Sequence, residues 1–599
     1  MPNIVLKATV FRVTLAVFAL LSAGFSVARC DEAAVLPSKV EVRAMRGALP
    51  TMQWAVERVA KELAGVYKID AAQNFEARTP FDDSQRDRAQ VFLGVPTKSR
   101  AIADWCKANK INGPTKKPGS NAYRVTVLSD PPRVLILGSD EMGAWYGACG
   151  WLDSLTTAPG GLVKSAVGDM TGSPALKIRI APWFTNPPDT GGDWVTSQIP
   201  FLDWIARWRF NAFLVGPLDV NTEKYLAEAH KRGIRIMQTL GVRDVCPSDE
   251  KQVAALTAQE DEFLKRGGDG VTGTWDDLFG ERIQGHCEVC RKRFGPNGIT
   301  KEIIFILEAL TDVARKYPGK TIIWCPPNYG RGRYKELTDE EFFGKISASN
   351  KVRTGTYLWY TQCGDEPTAF LDRYGMKRRV WWYNGVYPLS YAVVRHKPQE
   401  AKDRVKGKLG NLDFSPFDAS GFMKDIIKTD DIWTIYPPGD EKWKALRQVP
   451  DRFQGMYFCG PGTYTTPFQA AQAGLFEWSP KLYQQSETDK TAFRAIFGPD
   501  SEGPPRKWSD LKNDIEVRLA KKIVAGESLS DAEKQEISGL MELWRKERVE
   551  VEALAARGRS LAPKSFIDPV LAGMRTAEAN VDAEFAKLSG QGGASSEVK

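Results

Sequence analysis

Histidine is almost absent: His230, His286 and His396 are the only three in 599 residues. A histidine-rich metal centre or a hydrolase built on a histidine base therefore has few candidates, and His230 sits in a helical stretch, 224–232, that reads as surface. Cysteine is sparse as well, nine residues in all, with eight spread singly from Cys106 to Cys459 after Cys30. So thin a distribution over so long a chain is no disulfide scaffold. The segment Gly285-His286-Cys287-Glu288-Val289-Cys290 has half the pattern of a zinc site, but no second Cys-x-x-Cys and no paired histidines follow at finger spacing. Neither a glycine-rich phosphate loop after a strand nor a complete metal-ligand set is visible, so no metal and no cofactor are expected. Strong charge is missing too. The formal net charge is +8, and three of those charges, Lys7, Arg12 and Arg29, lie in a leader without acids, which leaves +5 and no argument for nucleic acid.

Long apolar runs are limited to Val13–Phe25, which follows Lys7 and Arg12 and ends in Ser26-Val27-Ala28. That is the layout of a cleaved secretory signal over residues 1–30, so a secreted or periplasmic protein is expected, with lipidation at Cys30 the lesser alternative. No stable membrane span is expected, since a span needs about 18–20 apolar residues. What the chain does have is rings: 18 Trp, 17 Tyr and 28 Phe. Such side chains are core filler or, in a cleft, flat platforms for a ligand.

Length and patterning divide the chain. Residues 36–168 read as an N-terminal α/β domain, with a helix near 52–64, a strand at 90–95, two β-rich runs around Asp130-Pro131-Pro132 and a small-residue helix at 140–152. Between 175 and 463, eight short apolar runs alternate with helical or loop segments: 177–180, 212–215, 234–239, 270–275, 321–325, 353–359, 379–383 and 455–459. This spacing predicts a (β/α)8 TIM barrel. Residues 464–588 read as a charged helical domain and 589–599 as a disordered tail, so the expected fold class is α/β with a barrel at its centre.

The most informative tract is Gly270-Val271-Thr272-Gly273-Thr274-Trp275-Asp276-Asp277, a strand ending in two carboxylates. Barrel strands open onto the site at their C-terminal ends. Two neighbouring acids repel unless one stays protonated or something binds between them, which suits acid/base work. An N-cap pair or solvated loop start is the plain alternative. Other strand ends add Cys325-Pro326-Pro327-Asn328-Tyr329, Tyr357-Leu358-Trp359-Tyr360 and Trp381-Trp382-Tyr383-Asn384, rings and hydrogen-bonding groups suited to a sugar.

These motifs, followed by the run from Pro467-Phe468-Gln469 to Trp478-Ser479-Pro480-Lys481, stand in the order found in glycoside hydrolase family 84, which this chain resembles over most of residues 36–500. Its N-terminal unit is similar to the domain that precedes the barrel in families 20 and 67. The resemblance implies an exported β-N-acetylglucosaminidase acting on a carbohydrate or glycoconjugate by substrate-assisted retaining hydrolysis, in which the 2-acetamido oxygen attacks the anomeric carbon and forms an oxazoline. It implies that Asp276 orients the acetamido group, that Asp277 is the acid/base, and that Tyr329, Trp359, Asn384 and Asp365 contact the sugar. Adjacent strand residues point to opposite faces, so both carboxylates reach one pocket only if the backbone turns there. The chain departs from the family in Ile178-Arg179-Ile180-Ala181-Pro182 on the first strand and in Leu218 where the family has a sugar-binding lysine. The alternatives are a family 67-like α-glucuronidase, with Arg179, Arg331 and Arg333 for the uronate, and a catalytically silent carbohydrate binder. Oligomeric state is not legible.

Overall fold

The structure is a computed structural model that describes residues 33–114, 119–182, 194–217, 221–278, 280–295, 298–330, 336–362, 365–384, 389–409, 427–428, 447–459, 467–499 and 501–590. The leader at 1–30, Leu218, Arg331, Arg333 and the tail at 591–599 lie outside the described residues.

The first nine strands are β1 (Ala33–Leu36), β2 (Lys39–Met45), β3 (Asp70–Ala77), β4 (Ala89–Gly94), β5 (Tyr123–Leu128), β6 (Arg133–Gly138), β7 (Thr156–Ala158), β8 (Leu162–Ala166) and β9 (Gly168–Gly172). They form a six-stranded sheet in the order β3-β2-β4-β6-β5-β9 and a small sheet β1-β8-β7. Strands β3, β2, β4 and β6 run parallel, while the expected hairpin β5–β6 is antiparallel. Every residue of β4 is buried, as a strand covered on both faces requires. Helices Pro50–Tyr67 and Glu141–Ser154 pack on one face, and Arg100–Ala108 on the other through Ile102 and Cys106. The small residues of Glu141–Ser154 are what let it approach: a Cβ at Gly143 would stand 2.3 Å from the Ala122 carbonyl oxygen.

Eight parallel strands then close a barrel: β10 (Ile178–Ile180), β11 (Ala212–Val215), β12 (Arg235–Leu240), β13 (Gly270–Thr274), β14 (Thr321–Cys325), β15 (Thr356–Tyr360), β16 (Arg379–Asn384) and, after the short pair β17 (Leu389–Ser390) and β18 (Ile427–Lys428), β19 (Gly455–Cys459). All eight runs expected from sequence are barrel strands. Period-2 alternation sorts their side chains. Ile178, Ile180, Ala212, Leu214, Met237, Ile323, Cys325, Tyr357, Trp359, Val380 and Tyr457 fill the barrel, whereas Phe213, Ile236, Val271, Trp324, Leu358, Trp381 and Met456 join the layer beneath the helices.

The remainder is helical: Pro467–Trp478, Gln485–Phe497, Gly503–Ala525, Asp531–Ala556 and Lys564–Leu588. Ser530 caps the fourth of these in a capping box with Glu533, as its sequence signals. Trp508 and Trp544 meet at 5.4 Å between the third and fourth. Among the described residues no helix is long and apolar enough to cross a membrane.

Candidate active site

Alternation along β13 carries the chain into the site. Val271 and Gly273 face the helices, and Thr272 meets Thr239 of β12 through their hydroxyls at 3.1 Å on the opposite, inner face. The next outward residue is Trp275, buried against Trp324 with ring centroids 6.4 Å apart, so Asp276 continues the inner side at the barrel's C-terminal mouth. Asp277 would return to the outer side in a continuing strand. Instead its φ is +52°, in the left-handed region that few residues other than Gly, Asn and Asp enter. The backbone thus turns at the point where two adjacent carboxylates need it to turn.

Each carboxylate has a partner from a neighbouring loop. The Tyr329 hydroxyl donates to Asp277 Oδ1 at 2.8 Å, from the loop after β14. Arg243, in the short turn Val242–Asp244 after β12, donates to Asp276 Oδ1 at 3.4 Å. Both acids keep access to solvent, Asp276 in part and Asp277 more fully. Tyr329 is itself held from behind: its carbonyl accepts from the Thr361 amide and from the Thr361 hydroxyl, each at 2.8 Å. Asn328 braces the same loop by donating to the Leu337 carbonyl at 2.9 Å and to Asp339 at 3.1 Å.

Beside the acids runs a wall of rings. Tyr329 lies 5.5 Å from Trp382, Trp382 5.6 Å from Trp359, and Trp359 5.3 Å from Tyr457 in a near-parallel stack. The indole N–H groups of Trp359 and Trp382 are buried with no partner among the described residues, a condition that buried donors seldom keep once a site is filled.

The sequence-derived residues fare differently. Asp276, Asp277, Tyr329 and Trp359 come together at the mouth. Asn384 ends β16 beside Cys459 of β19, at the level of the mouth; its side chain is outside the described set. Asp365 opens the helix Asp365–Arg373 with an exposed side chain ion-paired to Arg452, and its described contacts include neither acid nor ring. Of the paired tryptophans on β16, Trp381 turns outward and donates to the Thr361 carbonyl at 3.1 Å, so Trp382 is the one inside the barrel.

Arg179 is no uronate ligand. It points away from the barrel interior, fully buried, and donates to the carbonyls of Arg209 and Leu176, each at 2.7 Å, and to the Tyr146 hydroxyl at 3.1 Å. His230 binds Asp269, which precedes β13 at the end of the barrel opposite the acids, in keeping with a surface role. Two functional candidates escaped the sequence reading. Arg243 was findable as the third residue past a barrel strand. Cys246 could not be linked to Cys287 and Cys290, yet the three thiols gather into one cluster, the only group of this kind among the described residues that could hold a metal ion.

No protein-family model matches the chain, and no curated protein matches it. Solved structures do. CpGH84B aligns with a TM-score of 0.54 at 13% identity, over 93% of this chain and 89% of that one. CpGH84D aligns with a TM-score of 0.52 at 12% identity, over 93% and 92%. The protein therefore has the family 84 type of fold, an α/β unit, a closed barrel and a helical region in that order.

Proposed function

We propose that this protein is an exported glycoside hydrolase that cleaves terminal N-acetyl-β-glucosaminides by substrate-assisted retaining hydrolysis. The observation that carries the reading is the left-handed turn at Asp277, which aims the second of two consecutive carboxylates at Tyr329 beside a wall of rings. The shared fold with CpGH84B supports the same class. Asp276 accepts the acetamido N–H and raises the nucleophilicity of the acetamido oxygen as it closes on the anomeric carbon. Asp277 gives its proton to the glycosidic oxygen as that bond breaks, then takes a proton from the water that opens the oxazoline. The 2.8 Å bond from Tyr329 fixes the Asp277 carboxyl for both steps. The rings offer their faces to the apolar side of the sugar, and the indole N–H groups of Trp359 and Trp382 offer donors to its oxygens. No carboxylate nucleophile is needed, because the substrate supplies one.

The test is chromophore release from an aryl N-acetyl-β-glucosaminide, with an aryl α-glucuronide as control. Turnover of the first and not the second is expected, with Asp276→Asn lowering kcat/KM by about 10²–10³-fold through loss of the oriented acceptor. Turnover of the glucuronide alone would overturn the substrate assignment, and turnover of neither would favour a silent binder.

A further inference from the structure

Three cysteines from two loops meet beside the site. Cys246 follows the Arg243 turn after β12, whereas Cys287 and Cys290 flank the start of the helix Glu288–Phe294 in the segment after β13. The Cys246 sulfur lies 3.6 Å from that of Cys287 and 3.4 Å from that of Cys290, and all three lie within 4.8 Å of one another. A disulfide would bring one pair to about 2.05 Å. Sulfurs on a tetrahedral zinc ion, with bonds of about 2.3 Å, stand about 3.8 Å apart, close to the spacing seen.

The cluster is built, not incidental. The Cys246 amide donates to Gln252 at 2.8 Å, and Arg293 ties the Cys290 helix to the Cys246 loop by donating to the Pro247 carbonyl at 3.0 Å. Both oxygens of Glu302 accept from the His286 amide at 3.0 Å, which fixes the turn into Cys287. His286 Nδ1 is buried with no partner among the described residues.

We infer that Cys246, Cys287 and Cys290 hold a structural zinc ion that clamps the loop after β12 to the loop after β13. The ion takes three thiolates, whose protons go to solvent on binding, and its fourth position falls to water. The consequence reaches the mouth, because the clamped loops carry Arg243 and Asp276. Arg282 already joins them by donating to the Arg243 carbonyl.

The protein purified without reductant or chelator should carry one zinc per chain by elemental analysis, and Cys246→Ser less than about a tenth of that. Should the variant fail to fold, the wild type serves: stripped with a chelator and refilled with Co²⁺, it should bind one equivalent with the visible spectrum of a tetrahedral thiolate site. Two results would overturn the assignment. One is a Cys246–Cys287 or Cys246–Cys290 disulfide in non-reducing peptide maps of the metal-free protein as isolated; the other is refusal of Zn²⁺ and Co²⁺ while all three thiols remain open to alkylation.

Discussion

Asp153 and Asp277 are the same residue in opposite surroundings. Asp153, near the end of the helix Glu141–Ser154, accepts from Arg207 at 2.8 Å and also from Arg209, and Arg207 in turn grips both oxygens of Glu62 at 2.9 Å. Burial works against the Asp153 charge, and the two guanidiniums overcome it, holding the carboxyl below its ordinary range. This network joins the N-terminal sheet unit to the barrel. Asp277 stands exposed at the barrel mouth in a left-handed backbone conformation, with the Tyr329 hydroxyl donating to it. A carboxylate saturated by cations holds a structure together, whereas one at the rim of an open cleft is within reach of a bound ligand.

Exchanging the two fates is the strongest way to break that contrast. Asp277→Asn should cut kcat/KM on glycosides with weakly acidic leaving groups by about 10²–10⁴-fold while leaving the melting temperature unchanged or raised. Asp153→Ala should do the reverse. It removes the carboxylate facing the buried Arg209 guanidinium, while Arg207 keeps Glu62, and should cost about 3–5 kcal/mol in denaturant unfolding, with near-normal turnover in the fraction that stays folded. Because the folded Asp153 carboxyl titrates below its unfolded value, its contribution is present above pH ~4 and is lost as pH falls further.

A third carboxyl sharpens the comparison from the other side. Glu260 is fully buried without a partner for either oxygen among the described residues, and burial pushes it from 4.5 up to about 9. Its folded form keeps a proton that the unfolded chain releases, so the stability it contributes is complete below pH ~4.5 and declines as pH rises toward 9. Glu260→Gln should therefore stabilise the protein by on the order of 1–3 kcal/mol at pH 8, with the gain vanishing near pH 4, as thermal melts across pH would show. The smallest effect is expected for Tyr329→Phe. It removes one hydrogen bond from Asp277 and should lower kcat by roughly tenfold, with KM little changed.

The barrel was legible in the sequence because parallel strands covered on both faces are short, continuous apolar runs, as in Ala212–Val215 and Thr321–Cys325. Strand β3 was not, since its polar Asp70–Ala77 is an edge strand with little buried face, and neither was the polar helix Gln485–Phe497. At the site, the strand-end rule reached Asp276, Asp277, Tyr329 and Trp359. It could not choose between Trp381 and Trp382, because a one-residue change of register exchanges inside for outside. Nor could it pair Arg243 with Asp276 or Cys246 with Cys287, contacts between loops of adjacent strands that lie 33 and 41 residues apart in the chain.

The central claim is that Asp277 protonates the leaving group, and it is tested by measuring kcat/KM for wild type and Asp277→Asn on aryl N-acetyl-β-glucosaminides of graded leaving-group acidity. A strongly acidic phenol departs without help, so the account predicts a loss of about tenfold or less on such a substrate and about 10²–10⁴-fold on a weakly acidic one. An equal loss across the whole series would contradict it.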